Sequence, residues 1–299
     1  MISYLTYNDF TNDIRNNFKK IPKDVIGVIG IPRSGMLPAT IIAEYLNVGL
    51  ATIDEFINNK DNPLSLFSSH GNRPLRNINT DKKKILVVDD TCYNGSSLLK
   101  SKTKLIKGGG GDFEFIYLVV YLEGSGIVGK PDIYLRDVRD LAKKSDIGIV
   151  LYEWNLFANP GIINKTIFDL DGVFCVDPPD ERNITKYLKY IENPEQLFIP
   201  TTDGTVTVLT YRLNKYRPET ESFLKTLGLN KVHLYMYNAE TYEKRSKVPP
   251  YIYKGEFYKQ ATDFKLFVES SDYQARKINE ISGKPVYCVE TNKMYNEIN

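Results

Sequence analysis

The chain has 299 residues, enough for two domains of ordinary size, each with its own buried core. Hydrophobic residues make up 42% and charged residues 25%, a balance that excludes a disordered or fibrous chain. Lys and Arg total 39 against 37 Asp and Glu, and the formal charge of +2 gives no general electrostatic reason to expect nucleic acid or an anionic membrane as partner.

The opening residues 1–13 lack a positive region followed by an apolar run, and no stretch approaches the roughly 20 apolar residues that span a bilayer. A cytoplasmic protein without stable membrane insertion is expected. Cys92, Cys175 and Cys288 lie far apart and fit neither a disulfide framework nor a zinc spacing, which agrees with a reducing compartment. His70 and His233 are the only histidines, which excludes a histidine-rich metal site.

Short β-branched runs recur at 25–31, 85–88, 115–121 and 147–151, each followed by turn residues and a segment of helical period. This is the pattern of buried parallel strands alternating with helices. After the first run, Gly30-Ile31-Pro32-Arg33-Ser34-Gly35-Met36 opens a helix toward Leu46. Residues 58–80 break the alternation and read as a lid or linker. Four apolar residues, Ile85-Leu86-Val87-Val88, then deliver Asp89 and Asp90 to a strand end, and the loop Thr91-Cys92-Tyr93-Asn94-Gly95-Ser96 leads into a helix. Such a loop turns backbone N–H groups and hydroxyls inward at a helix N-terminus, which suits a phosphate monoester. The paired carboxylates suit a vicinal diol or the Mg²⁺ chelated to it.

The segment 85–98 resembles the phosphoribosyl pyrophosphate (PRPP) motif of type I phosphoribosyltransferases. The resemblance implies that Asp89 and Asp90 hold the ribose hydroxyls and that Thr91, Cys92, Tyr93, Asn94, Gly95 and Ser96 wrap the 5-phosphate. Asn94 is a departure, since the family more often has Thr there. The resemblance also implies that Arg33, Ser34 and Gly35 face the leaving pyrophosphate, and that a mobile lid, here 58–80 with Lys60, His70, Arg73 and Arg76, covers the reacting centre. The segment Tyr152-Glu153-Trp154-Asn155-Leu156-Phe157 holds the single Trp. It reads equally as a stacking surface for the acceptor and as packing between domains.

Ala158-Asn159-Pro160-Gly161 is a turn-rich break, and a domain boundary is expected there, giving domains 1–159 and 160–299. A second series of strand candidates follows at 166–168, 206–209, 232–237, 266–268 and 286–289, with an irregular stretch at 172–205. Thr166-Ile167-Phe168-Asp169-Leu170-Asp171-Gly172-Val173 sends two carboxylates toward one face of a strand end.

This closely resembles the first motif of the haloacid dehalogenase (HAD) superfamily, whose further motifs follow in order. The resemblance implies that Asp169 attacks phosphorus, Asp171 protonates the leaving oxygen and Thr210 binds the phosphoryl group. It further implies that Lys254 steadies the charge, with Lys259 as competitor, and that Asp169, Asp171, Glu269 and Asp272 hold Mg²⁺. The fold class expected is therefore α/β in two domains, type I phosphoribosyltransferase-like and then HAD-like Rossmannoid with a small cap.

The whole chain resembles the transferase–phosphatase fusions of bacterial surface-polysaccharide assembly. This implies PRPP as donor, a glycan acceptor, lipid-linked or free, reached at the cytoplasmic membrane surface, and ribofuranose left after loss of the 5-phosphate. A homodimer is compatible with this reading. Two other classes stay open at this point: a nucleobase or orotate salvage transferase with a HAD-like appendage, and a non-catalytic PRPP sensor.

Overall fold

In the computed structural model, which describes residues 1–59, 62–67, 83–108 and 110–296, the apolar runs form the strands of two largely parallel sheets. The lid residues Lys60, His70, Arg73 and Arg76 lie outside the described residues. In chain order the strands of the first half are β1 (Ser3–Leu5), β2 (Gly27–Gly30), β3 (Gly49–Thr52), β4 (Lys84–Cys92), β5 (Glu114–Leu122), β6 (Ile133–Asp137) and β7 (Val150–Tyr152). Those of the second half are β8 (Thr166–Phe168), β9 (Val206–Leu213), β10 (Val232–Tyr237), β11 (Leu266–Glu269), β12 (Val286–Cys288) and β13 (Lys293–Tyr295).

The chain divides by packing into two units, Leu5–Lys143 and Met1–Tyr4 with Lys144–Asn299. In the Leu5–Lys143 unit a five-stranded sheet runs in the order β3-β2-β4-β5-β6, every pair parallel. Its central strand β4 contains the Ile85–Val88 run, which is wholly buried, as a strand covered on both faces requires. Ile29, Ala51, Val87, Leu98, Leu105 and Val119 belong to one apolar cluster of this unit.

The other unit carries a six-stranded sheet in the order β10-β9-β8-β11-β12-β13, parallel up to β12, with β13 antiparallel at the edge. The strand leading into Asp169, β8, is thus central, and its neighbours β9 and β11 carry Thr210 and Glu269. The first residues of the chain belong here: β1 pairs with β7, and Ile2 packs with Leu151, Leu156, Phe168 and Val268. Packing therefore divides the chain near 143 and 144, ahead of the break expected at 159 and 160. The reason is local: Asn159 caps the short helix Pro160–Ile163 by accepting from Gly161 N–H, and Ile162 and Ile163 are buried, so the turn-rich stretch is a helix start inside a unit. The stretch 172–205 also holds structure, the amphipathic helix Ile184–Glu192 capped by Asn183.

Candidate active site

In open parallel sheets the loops at the carboxyl ends of the strands form the ligand crevice. In the Leu5–Lys143 unit these are the loops after β2 and β4. Asp89 and Asp90 are both buried at the end of β4, with the Asp90 N–H donating to Asp89 Oδ1 at 3.0 Å. Burial, and then the neighbouring Asp90 carboxylate, push the Asp89 carboxyl up to about 8.

The loop after β2 reaches this pair directly. A Cβ at Gly35 would come within 2.8 Å of Asp89 Oδ1 and of Val88 O, so only glycine lets the two loops approach this closely. Thr91, Cys92, Tyr93, Asn94, Gly95 and Ser96 line a pocket of about 270 Å³ together with Ser34, Asp89 and Asp90. Gly95 has φ of 76° and opens the helix Ser96–Lys107, and Asn94 Oδ1 accepts from the Ser96 N–H at 3.0 Å. The loop is braced from outside, since Val128 N–H donates to Asn94 O and Gly124 N–H to Cys92 O. Arg33 is exposed and does not line this pocket, and the peptide joining it to Pro32 is cis.

In the other unit, Asp169, Lys254 and Glu269 meet at the ends of β8 and β11. Lys254 Nζ donates to Asp169 Oδ2 at 2.8 Å and to Glu269 Oε2 at 2.7 Å, and all three side chains are buried. The helix Pro250–Gln260 supplies Lys254, whereas Lys259 lines a different cavity with Met1 and Asp146. Burial pushes the Asp169 carboxyl well up against the pull of Lys254. Burial alone would depress Lys254, but Asp169 and Glu269 outweigh it and hold the ammonium above its ordinary value. Asp169 and Glu269 thus share the single ammonium of Lys254.

Gly172, with φ of 77°, lets the chain turn where a Cβ would collide with the Ser270 side chain. A cavity of about 290 Å³ opens on Asp169, lined also by Asp171, Asp177, Arg212, Lys254 and Gln274.

Three expected residues stand differently. Asp171 is engaged on both oxygens: Arg212 Nε lies 3.1 and 3.0 Å from them, Arg212 Nη2 donates to Oδ1 at 2.6 Å, and the Tyr190 hydroxyl donates to Oδ1 at 2.8 Å. Burial works against its charge, but Arg212 prevails and holds the carboxyl below its ordinary range. Asp272 is not brought into the cluster. It starts the helix Asp272–Ser282, and its carboxylate is taken by the Tyr295 hydroxyl, by Thr291 Oγ1 at 3.1 Å and by Arg276 at 2.7 Å. Thr210 is fully buried, with its Oγ1 accepting from the Arg212 N–H at 3.2 Å, and does not line the cavity.

Arg212, Tyr190, Asp177 and Gln274 were not anticipated. Arg212 had a signal, lying one strand period beyond Thr210.

Among the described residues no group of three or more His, Cys, Asp or Glu side chains is arranged to enclose a metal ion. Mg²⁺ does not require such an enclosure, because it is held by one or two carboxylates together with substrate phosphates and water. The all-oxygen donors at Asp169 and at Asp89 with Asp90 fit that chemistry.

Residues 3–154 match the family model described as "Phosphoribosyl transferase domain". Compared with curated protein sequences, the chain matches none. Among solved structures, it is similar to a purine phosphoribosyltransferase of Pyrococcus horikoshii, with 19% identity, 45% of this chain and 86% of that one covered, and a TM-score of 0.31. It is also similar to a xanthine-guanine-hypoxanthine phosphoribosyltransferase of Helicobacter pylori, with 16% identity, 52% and 95% covered, and a TM-score of 0.34. An orotate phosphoribosyltransferase of Aeropyrum pernix shares 20% identity over 46% of this chain and 74% of that one, with a TM-score of 0.32. The family match takes in both the loop after β2 and the Asp89–Ser96 loop and spans just over half of the residues, so the chain belongs to the phosphoribosyl transferase domain family.

Proposed function

We propose that the chain transfers 5-phosphoribosyl from PRPP to a glycan acceptor with release of pyrophosphate, and that its Lys144–Asn299 part then hydrolyses the 5-phosphate to leave ribofuranose. Phosphoribosyl transfer follows from the family. The second step is supported by one observation above all: a buried Lys254–Asp169–Glu269 trio at the ends of adjacent parallel strands, opening on a polar cavity outside the family match. A salvage transferase would be poorly served by a phosphatase acting on the nucleotide it had just made, whereas attaching plain ribose requires such a step.

In the first step the Asp89–Ser96 pocket would grip the 5-phosphate and the ribose hydroxyls, so that binding energy remote from C1 orients C1 for displacement. The backbone amides of the loop after β2 would stabilise charge growing on the departing pyrophosphate. In the second step Asp169 would attack phosphorus while Lys254 holds its carboxylate in place and balances charge. Mg²⁺, held by Asp89 and Asp90 with PRPP and by Asp169 with the phosphate ester, would neutralise phosphate charge in both.

Among the described residues no helix is long and apolar enough to cross a membrane. A lipid-linked acceptor would therefore be met at a membrane surface.

Incubation of the protein with PRPP, Mg²⁺ and a panel of glycans and nucleobases, read by mass spectrometry, tests the reading. The wild type should add ribose to a glycan. Asp169→Asn, which keeps shape but removes the nucleophile, should add phosphoribose to the same acceptor. Phosphoribosylation of a base alone would overturn the acceptor class, and plain ribosylation by Asp169→Asn would overturn the phosphatase step.

A further inference from the structure

The cavity that opens on Asp169 has a second wall that the attack on phosphorus does not use. Pro178, Pro179 and Glu181 reach it from the stretch 172–205, Tyr211 from β9, and Tyr242 and Arg245 from the short helix Tyr242–Arg245 after β10. Two successive prolines fix the backbone of the first segment and remove two N–H donors, so it meets the cavity with rings instead of amides. Thr241 caps the short helix, its side chain accepting from the Lys244 N–H.

Arg245 organises this wall, and it is the only cation there among the described residues. Its guanidinium carbon lies 4.6 Å from the centre of the Tyr211 ring and 5.3 Å from that of Tyr242, so both rings are held by cation–π contact. Nη2 pairs with Glu181 Oε2 at 2.6 Å, and Nη1 donates to Tyr211 O at 2.9 Å. The Tyr211 hydroxyl donates back to Arg245 O at 2.6 Å, and the Tyr216 hydroxyl donates to Glu181 Oε1 at 3.3 Å. Arg245 and Glu181 are only 9% and 8% exposed, so the pair is buried, and breaking it would leave an uncompensated charge. The rings are therefore set before a ligand arrives, and the charge of the wall's cation is already balanced.

We infer that Tyr211, Tyr242 and the two prolines form a subsite for the uncharged ribofuranosyl ring of a phosphoribosylated acceptor, and that the Glu181–Arg245 pair makes this subsite refuse PRPP. This rests on the reading of Asp169 as nucleophile. Both molecules carry the same 5-phosphate, so a phosphatase blind to the rest of the molecule would destroy the donor that the first step needs. They differ at C1, which bears a neutral sugar in the product and a pyrophosphate in PRPP. With the 5-phosphate at Asp169, the ring and C1 extend toward the tyrosines and prolines. A tyrosine ring offers a sugar an apolar face with a polar tip. A pyrophosphate in the same place would shed water against prolines and rings, with the wall's cation already paired, and desolvated charge without partners is costly. The cavity, of about 290 Å³, sits at the low end of ligand pockets, so one ring and its phosphate fill it and the rest of the acceptor stays outside.

The test uses the full chain in Mg²⁺ and reads orthophosphate released from methyl ribofuranoside 5-phosphate, from PRPP and from acetyl phosphate, which has no ring. Wild type should favour the riboside over PRPP by at least about 100-fold in kcat/KM. Tyr242→Ala should raise KM for the riboside about tenfold with little change in kcat, and should slow acetyl phosphate hydrolysis less than about twofold. Tyr242→Phe, which keeps the ring, should restore the riboside KM. Glu181→Gln keeps the shape but removes the counter-charge of Arg245, and should raise kcat/KM for PRPP about tenfold. The wild-type ratio and the Tyr242 variants decide the matter even if Glu181→Gln fails to fold. If PRPP is hydrolysed as readily as the riboside, or Tyr242→Ala affects riboside and acetyl phosphate alike, the subsite is overturned, and the nucleophile reading stands so long as Asp169→Asn abolishes all hydrolysis. Hydrolysis that survives Asp169→Asn overturns the phosphatase reading and the subsite with it.

Discussion

Asp89 sits where four buried apolar residues end, next to a second carboxylate, and its carboxyl is pushed up to about 8 by burial and by Asp90. Between the ordinary aspartate value and about 8 the folded chain holds a proton that the unfolded chain has released. Stability should therefore fall as pH rises through that window. Asp89→Asn removes the effect: the variant should be more stable than wild type at pH 8 by about 1–3 kcal/mol in urea unfolding, and indistinguishable near pH 4. It should also lose PRPP binding by calorimetry, the trade expected when a site is strained for function. A wild-type stability that is flat across this range would show that Asp89 is not held protonated. The Arg212–Asp171 pair makes the opposite case, because its partners satisfy each other. Arg212→Met strands a buried carboxylate and should cost about 3–5 kcal/mol, while Arg212→Met with Asp171→Asn should recover most of that loss.

At the level of elements, continuous apolar runs were legible and edges were not. The Ile85–Val88 and Leu266–Val268 runs are buried on both faces and read directly as strands, whereas β3, β6 and β13 are strands at or near sheet edges with mixed or short apolar patterns. The helix Ile184–Glu192 carries apolar residues at Ile184, Tyr187, Leu188 and Ile191, a helical spacing masked by the Asn and Pro that flank it. Site residues that follow a strand end within the same loop, such as Asp89 to Ser96, could be read in sequence because chain order and spatial order coincide there. Asp272 could not be placed, since its partners Thr291 and Tyr295 come from the hairpin after β12 and no local pattern announces that approach. The loop after β2 offers an element-scale test. Gly35→Ala pushes a methyl against Asp89 and Val88 O, so it should cost about 1–3 kcal/mol by overpacking and weaken PRPP binding while leaving phosphomonoester hydrolysis untouched. Unchanged PRPP affinity would separate the two loops functionally.

The whole chain has a consequence of its own, because the two packed units do not coincide with the two stretches that the turn signals delimit. Ile2, Leu151 and Leu156 pack with Phe168, Val206 and Val268, so the second unit draws on both the start of the chain and residues 144–159. A fragment 160–299 discards all three apolar side chains, each contributing about 1.5–3 kcal/mol when fully buried, and exposes the faces they covered. A fragment 144–299 keeps Leu151 and Leu156 and loses only the four residues of the N-terminus. In urea the longer fragment should unfold cooperatively with a midpoint clearly above that of the shorter, and it should retain hydrolysis of 4-nitrophenyl phosphate. The same separation predicts that Asp89→Asn with Asp90→Asn in the full chain abolishes PRPP binding yet leaves that hydrolysis nearly intact, since Asp89 and Asp169 belong to different units. Equal stability of the two fragments would show that residues 144–159 only decorate the second core, and the boundary would then belong at the Asn159 cap.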